Sequence, residues 1–255
     1  MAKPPSRVDI AHTALRQAII EQALLPGTRL PEDEIGGHFG MSRTLARAVL
    51  QRLAGEGLVD LQPKRTAMVA QPSLEEAREI FEVRRALERE AVELVVRRWK
   101  PQFGAELEGH VREEDAAKAR GEERVSIRLA GEFHLKLAEM SGNRLLLRYL
   151  GEVVSRCSLI LALYGRPHSS DCAVNEHSEI ISALRAGDAA RAVHLMDHHI
   201  GSVERRALFD DDVPKADLGS VLAHYARAIT AREAAVPLDG KREKATKPSR
   251  QDKAS

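Results

Sequence analysis

The chain has 255 residues, enough to bury a sizeable core in one or two domains, and carries 39 Lys and Arg against 38 Asp and Glu. That near-neutral balance excludes a protein that holds nucleic acid by bulk charge, so any such contact must come from a local patch. Two cysteines, Cys157 and Cys172, give no disulfide or metal framework. No apolar run approaches the ~20 residues of a membrane span, and without a secretion signal the expected compartment is the reducing cytoplasm. Few aromatics against many Leu, Ala, Glu and Arg favour an α-rich fold.

Met1 to Arg7 reads as a flexible arm, and Ala11, Ala14, Leu15, Ala18 and Ile19 mark an amphipathic helix over 8–24 that Pro26-Gly27 ends. The next forty residues form one unit. Pro31, Glu32 and Asp33 suit a helical first turn, Ile35 and Phe39 give that short helix an apolar side, and Gly40 breaks it. Ser42 is placed to cap a second helix, whose apolar positions are Leu45, Val49, Leu50 and Leu53, with Gly57 as a left-handed stop. Residues 58–61 and 67–69 are short strand candidates around Pro63-Lys64-Arg65-Thr66. The first turns of the second helix present Arg43, Thr44 and Arg47, where a recognition helix offers side chains to base edges and phosphates. A lone helix with two arginines reads first as a solvated face. A capped turn before it and a basic hairpin with Lys64 and Arg65 after it favour double-stranded DNA. Residues 1–72 hold nine Lys or Arg and seven Asp or Glu, a mild excess that suits modest, salt-sensitive affinity assisted by dimerisation.

The stretch resembles the winged helix-turn-helix of the GntR family of bacterial transcription regulators. The matching residues are Arg29-Leu30-Pro31-Glu32, Ser42-Arg43-Thr44, Arg47 and Leu53-Ala54-Gly55-Glu56-Gly57-Leu58-Val59. The resemblance implies that Ser42, Arg43, Thr44 and Arg47 contact DNA. The chain departs from the family pattern at the acidic Asp33 and at Thr66, which stands where a wing-tip glycine is usual.

Gln71-Pro72 marks a boundary. Ser73 with Glu76 reads as a capping box opening a long helix towards Trp99, with Leu74, Ala77, Ile80, Phe81, Arg84, Leu87, Ala91, Leu94 and Val95 on one face. Arg84 among apolar neighbours is either half of an internal ion pair with Glu88 or a cation that receives an effector carboxylate. Further helices are expected from Pro101 to about Arg120, Glu123 to Met140, Asn143 to Tyr164, Ala173 to Ala186 and Ala189 to Leu208. That makes 73–210 an all-helical bundle of about six helices. Residues 211–255 hold a possible helix through Leu218, Val221, Leu222, Tyr225 and Ile229. A basic tail from Pro237 follows, with six Lys or Arg and three Asp or Glu, and reads as disordered. The fold class is therefore mainly α: an N-terminal winged helix-turn-helix with a small β-wing, then an all-α bundle.

His134, His177 and His199 fall on inward faces of three different helices. A single inward histidine is most often a hydrogen-bonded core residue. Three in one bundle suggest nitrogen ligands of zinc or a similar divalent ion, with a position left open for water or an effector oxygen. His194 and His198 share an outward face, and His110 and His168 show no partner. Glu132 and Glu176 adjoin two of the inward histidines in sequence, so helical phase is expected to turn them away from the site.

Glu82-Val83-Arg84-Arg85-Ala86-Leu87-Glu88, Phe133-His134, Ser141-Gly142-Asn143, Glu176-His177, Leu184-Arg185-Ala186-Gly187-Asp188 and Met196 with His199 are similar to the FadR-type C-terminal ligand-binding domain, FCD. The resemblance implies a metal on His134, His177 and His199. The family's aspartate, one helical turn before the first histidine, is Ala130 here, so either metal retention is weakened or a bound carboxylate effector supplies the missing anion. The expected function is a homodimeric, metabolite-responsive transcription regulator, a repressor in the family's commoner arrangement. The wing and recognition helix bind a palindromic operator, and a small carboxylate effector meets Arg84 and the histidines. A metal sensor and a three-histidine metalloenzyme are the alternatives; the enzyme lacks a placed general base.

Overall fold

The computed structural model describes residues 5–165 and 171–208, with side chains from 174 onward in the second stretch. His168, the helix expected at 218–229 and the basic tail lie outside the described residues. The first module contains α1 (Arg7–Ile20), β1 (Arg29–Leu30), α2 (Glu32–Phe39), α3 (Arg43–Gly55), β2 (Val59–Asp60) and β3 (Ala67–Val69). Its sheet runs β1-β3-β2, antiparallel throughout, with Arg29 opposite Met68 and Val59 opposite Val69. The wing hairpin matches the sequence expectation. Strand β1 was not expected, because two residues carry no alternation to detect.

Local chemistry sets each boundary. Ser6 accepts a hydrogen bond from the Asp9 amide, and the Asp9 carboxylate accepts one from the Ser6 amide, a reciprocal cap that starts α1. The same start gives Arg7 a place: its guanidinium donates to the Gly40 carbonyl, so it belongs to the module rather than to a free arm. Helix α1 stops at Ile20, four residues before the expected end. Gln22 takes a φ of 56° and the Ala23 and Leu24 amides both turn back to the Ala18 carbonyl.

The turn between α2 and α3 depends on two glycines. Gly40 takes a left-handed φ of 61°. At Gly36 a Cβ would lie 2.8 Å from the Met41 carbonyl oxygen, which only glycine tolerates. Ala11, Leu15, Ile19, Leu30, Ile35, Val49, Leu50, Leu53 and Val69 close this core, and Leu159 of the second module packs into it. Leu45, expected inward, is 43% exposed; Ala46 takes its place in the core.

The second module is α4 (Leu74–Arg97), α5 (Pro101–Ala119), α6 (Glu123–Met140), α7 (Arg144–Tyr164), α8 (Asp171–Arg185) and α9 (Ala189–Ala207). Every expected helix is present. Ser73 caps α4 through the Glu76 amide, Asn143 caps α7 through the Leu145 and Leu146 amides, and Asp188 caps α9 through the Arg191 amide. Phe81, Val92, Leu107, Phe133, Leu137, Ile160, Ile180, Leu184, Met196 and Ile200 form the main core. Helix α5, which reads as polar, also buries His110 and Glu114 beside Leu107 and Val111. Among the described residues no helix is long and apolar enough to cross a membrane.

Candidate functional site

Two sites emerge, one on the surface and one buried. On the surface, Ser42 uses its Oγ to cap α3 at the Leu45 amide, and its neighbours Arg43, Thr44 and Arg47 project outward and exposed. Arg43 Nε donates to Glu32 at 2.7 Å, with Asp33 at 3.6 Å, and Arg47 Nε lies 3.6 Å from the other Glu32 oxygen. The hydrogen bond from Arg43 to Glu32 and the charges of Asp33 and Glu32 raise the Arg43 pKa. Glu32, in the first turn of α2, therefore aligns both arginines along one face of α3. Lys64 and Arg65 sit exposed at the tip of the β2–β3 hairpin, Lys64 with a φ of 61° and Arg65 bonded to Gln62. All six residues expected at DNA lie exposed on α3 and the wing.

The buried site joins α6, α8 and α9. His134, His177 and His199 are each no more than 2% exposed, and one ligand nitrogen from each lies within 4.8 Å of the others. His199 Nε2 stands 3.3 Å from His134 Nε2. His177 Nε2 has no hydrogen-bond partner, and its ring stacks on Phe133 at 4.0 Å between centroids.

Each ring has a carboxylate on its other nitrogen. Glu114 Oε2 lies 3.0 Å from His177 Nδ1, and Glu176 Oε2 lies 2.7 Å from His199 Nδ1. Glu88 Oε1 lies 2.8 Å from His134 Nδ1, though off the hydrogen-bond direction. Glu176 does turn away from His177, its neighbour in sequence. It meets His199 on the next helix, so the expectation that phase removes it from the site holds for one histidine and fails for the other. Glu132 pairs instead with Arg128 at 2.8 Å.

Burial, followed by the nearby Arg84 and His177, holds His134 well below the usual histidine range; burial likewise lowers His199 against the pull of Glu176. Both rings are thus neutral near pH 7. The Nε2 atoms of His134 and His199 face one another at 3.3 Å, where one ring can donate to the other or both lone pairs can turn to a cation between them. That separation is also about what two nitrogens adopt on one tetrahedral zinc with bonds of ~2.0–2.1 Å. A carboxylate behind each ligand ring is the usual support of a metal-bound histidine. The donor set therefore fits a divalent ion of the zinc type held by His134, His177 and His199.

Arg84, 4% exposed, lies beside this cluster, its Nε 3.2 Å from Glu88 Oε1. Burial opposes its charge, but Cys157 and Glu88 more than compensate and raise its pKa. Burial raises Glu88, which Arg84 pulls back. Arg84, His134 and His199 line a cavity of about 500 Å³, with Ala130 in its wall. Ala130 lies one helical turn before His134 and leaves that wall without a ligand atom. His194 and His198 are exposed, and His110 is buried against the Leu129 carbonyl at 2.8 Å, away from the cluster.

The chain matches two family models: "Bacterial regulatory proteins, gntR family" over residues 9–69 and "FCD domain" over residues 79–202. It is 26% identical over 192 residues to the HTH-type transcriptional regulator YdhC of Bacillus subtilis (strain 168), covering 73% of this chain and 85% of that protein. It is 28% identical over 184 residues to a "Probable D-xylose utilization operon transcriptional repressor" of Paenarthrobacter nicotinovorans, covering 72% and 81%. Among solved structures, E. coli McbR/YncC shares the fold with a TM-score of 0.70 at 23% identity, over 78% of this chain and 95% of that one.

Proposed function

Because the chain belongs to the GntR family of bacterial regulatory proteins, with an FCD domain behind its winged helix, we propose that it is a cytoplasmic, homodimeric repressor relieved by a carboxylate effector bound at a metal. It is a DNA-binding transcription regulator and not an enzyme. We assign residues 1–72 to DNA binding and 73–210 to effector binding and dimerisation. Ser42, Arg43, Thr44 and Arg47 read the operator, and Lys64 and Arg65 hold its backbone.

The observation that carries the effector half is the convergence of three imidazoles, each with a glutamate beside its Nδ1, at a cavity lined by His134, His199 and Arg84. A divalent ion held there by His134, His177 and His199 would supply Lewis-acid attraction for an anionic oxygen. Arg84 adds a charged donor to the same carboxylate, and Ala130 leaves room for the oxygen that an aspartate would otherwise provide. Glu88 holds Arg84 through an ion pair at 3.2 Å. A pure metal sensor needs no such cavity, which favours a metal-plus-acid reading over the metal alone. Dimerisation follows from two-fold operator recognition. Effector binding changes DNA affinity by favouring one arrangement of the two winged helices.

The test is operator affinity of the zinc-loaded protein on a DNA site selected from a random pool, with and without acetate, lactate and succinate, beside Arg84→Ala. Weaker DNA binding with an acid, lost in the variant, supports the proposal. A shift produced by zinc alone and indifferent to every acid would replace it with metal sensing.

A further inference from the structure

The cavity does not stay within the effector domain. It follows α6 from His134 back past Arg128, six residues or about 9 Å of helix. Its far end is lined by Arg16, Ile20 and Gln22, which come from α1 and the turn after it, in the DNA-binding domain. Arg16 and Arg128 are two of the cations in its wall. Arg128 is matched by two carboxylates, Glu21 and Glu132, each at 2.8 Å. Arg16 has one, Glu56, at 3.1 Å, and Glu56 is shared with His12 at 2.6 Å. Arg16 also points an amine at Ser155 Oγ of α7, 3.4 Å away, and its side chain is 29% exposed. Glu56 is the C-cap of α3, the recognition helix.

We infer that the effector has two anionic ends, and that Arg16, a residue of the DNA-binding domain, receives the second one in place of Glu56. This rests on the cavity being the effector site. The near end offers His134, His199 and Arg84; the far end offers the less fully matched arginine. A one-ended acid reaches the first and leaves the second untouched. The volume of about 500 Å³ suits an elongated molecule better than a two- or three-carbon acid. When the far carboxylate takes Arg16, Glu56 keeps only His12, and one of the ties between the end of α3 and α1 is given up. The ligand thereby acts on the recognition helix through a contact of its own, which a population shift requires.

The probes are acetate and the α,ω-dicarboxylates from malonate to suberate, titrated calorimetrically into zinc-loaded full-length protein. The parent should prefer a long dicarboxylate to acetate by about tenfold, the worth of one charged hydrogen bond. Arg16→Gln should abolish that preference and leave acetate unchanged, Arg16→Lys should restore part of it, and Glu56→Gln should increase it. A merely structural contact would move Arg16→Gln and Glu56→Gln in the same direction. Should Arg16→Gln not fold, Glu56→Gln decides alone: tighter dicarboxylate binding supports the inference and unchanged binding overturns it. Carboxylate binding with the same length profile in parent and Arg16→Gln overturns the role of Arg16 and leaves the effector site standing. No binding of any carboxylate to the parent overturns both.

Discussion

The exposed face of α3 and the buried histidine cluster use the same residue chemistry, charged side chains with carboxylate partners, under opposite physical conditions. On α3, Arg43 and Arg47 are 69% and 68% exposed and share Glu32 in water. In the bundle, Arg84 and Glu88 are 5% and 0% exposed. Water screens the first pair, so breaking it alters what the surface can bind and little else. The second is almost wholly removed from water, at the wall of the cavity, so either partner left alone is a poorly compensated buried charge. One region is built to exchange its partners and the other to keep them.

The largest effect should come from breaking the buried pair. Glu88→Ala strands the Arg84 guanidinium and removes the carboxylate beside His134, and should cost about 3–5 kcal/mol of stability. Urea unfolding followed by circular dichroism measures it. A loss under 1 kcal/mol would mean that water reaches Arg84, and the contrast between the two regions would be weaker than their burial indicates.

Arg47→Ala probes the other side. It should remove specific operator binding, by about 1–3 kcal/mol or more if the arginine reaches a base edge, while unfolding stability stays within about 0.5 kcal/mol of the parent. Fluorescence anisotropy on specific and scrambled DNA separates base reading from phosphate attraction. Equal losses on both sequences would reassign Arg47 to the backbone.

How much of each region was legible in the sequence follows from the same contrast. The recognition unit was readable because its signals are local: a cap at Ser42, glycine at Gly40 and Gly57, an apolar repeat through Val49, Leu50 and Leu53. The helices of the bundle were legible for the same reason, through Ser73, Asn143 and Asp188. The three histidines could be picked out by helical phase. Their carboxylate partners could not, because Glu114 lies 63 residues from His177 and Glu176 lies 23 from His199. The one available hint was on α5, where Glu114 repeats with Leu107 and Val111 on a face that turns out to be buried. Neighbours in sequence misled at Glu176, since adjacency along a helix means opposite faces while adjacency between helices is invisible. The α1 contribution to the cavity was hidden in the same way: Arg16 sits on a helix that reads only as support for α3.

Glu114→Gln tests whether those partners serve the metal or merely fill the core. The amide keeps the shape beside His177 Nδ1 but loses the charge, and zinc affinity should fall about 10–100-fold. DNA binding by the metal-free protein should not change. Competition with a fluorescent chelator reads the first quantity and anisotropy the second. Unchanged zinc affinity would make Glu114 a core hydrogen-bond partner only.

The smallest effect is expected at the wing. Lys64→Ala removes one exposed cation from a hairpin tip and keeps the Cβ that the left-handed φ of 61° already accommodates. Stability should be unaffected. If Lys64 meets a phosphate, DNA affinity falls equally on all sequences and the slope of log affinity against log salt becomes shallower by about 1. An unchanged slope would take the wing off the DNA and leave recognition to α3. The exposed region would then work through Ser42, Arg43, Thr44 and Arg47, and DNA phosphates would have to displace Glu32 from both arginines and Asp33 from Arg43.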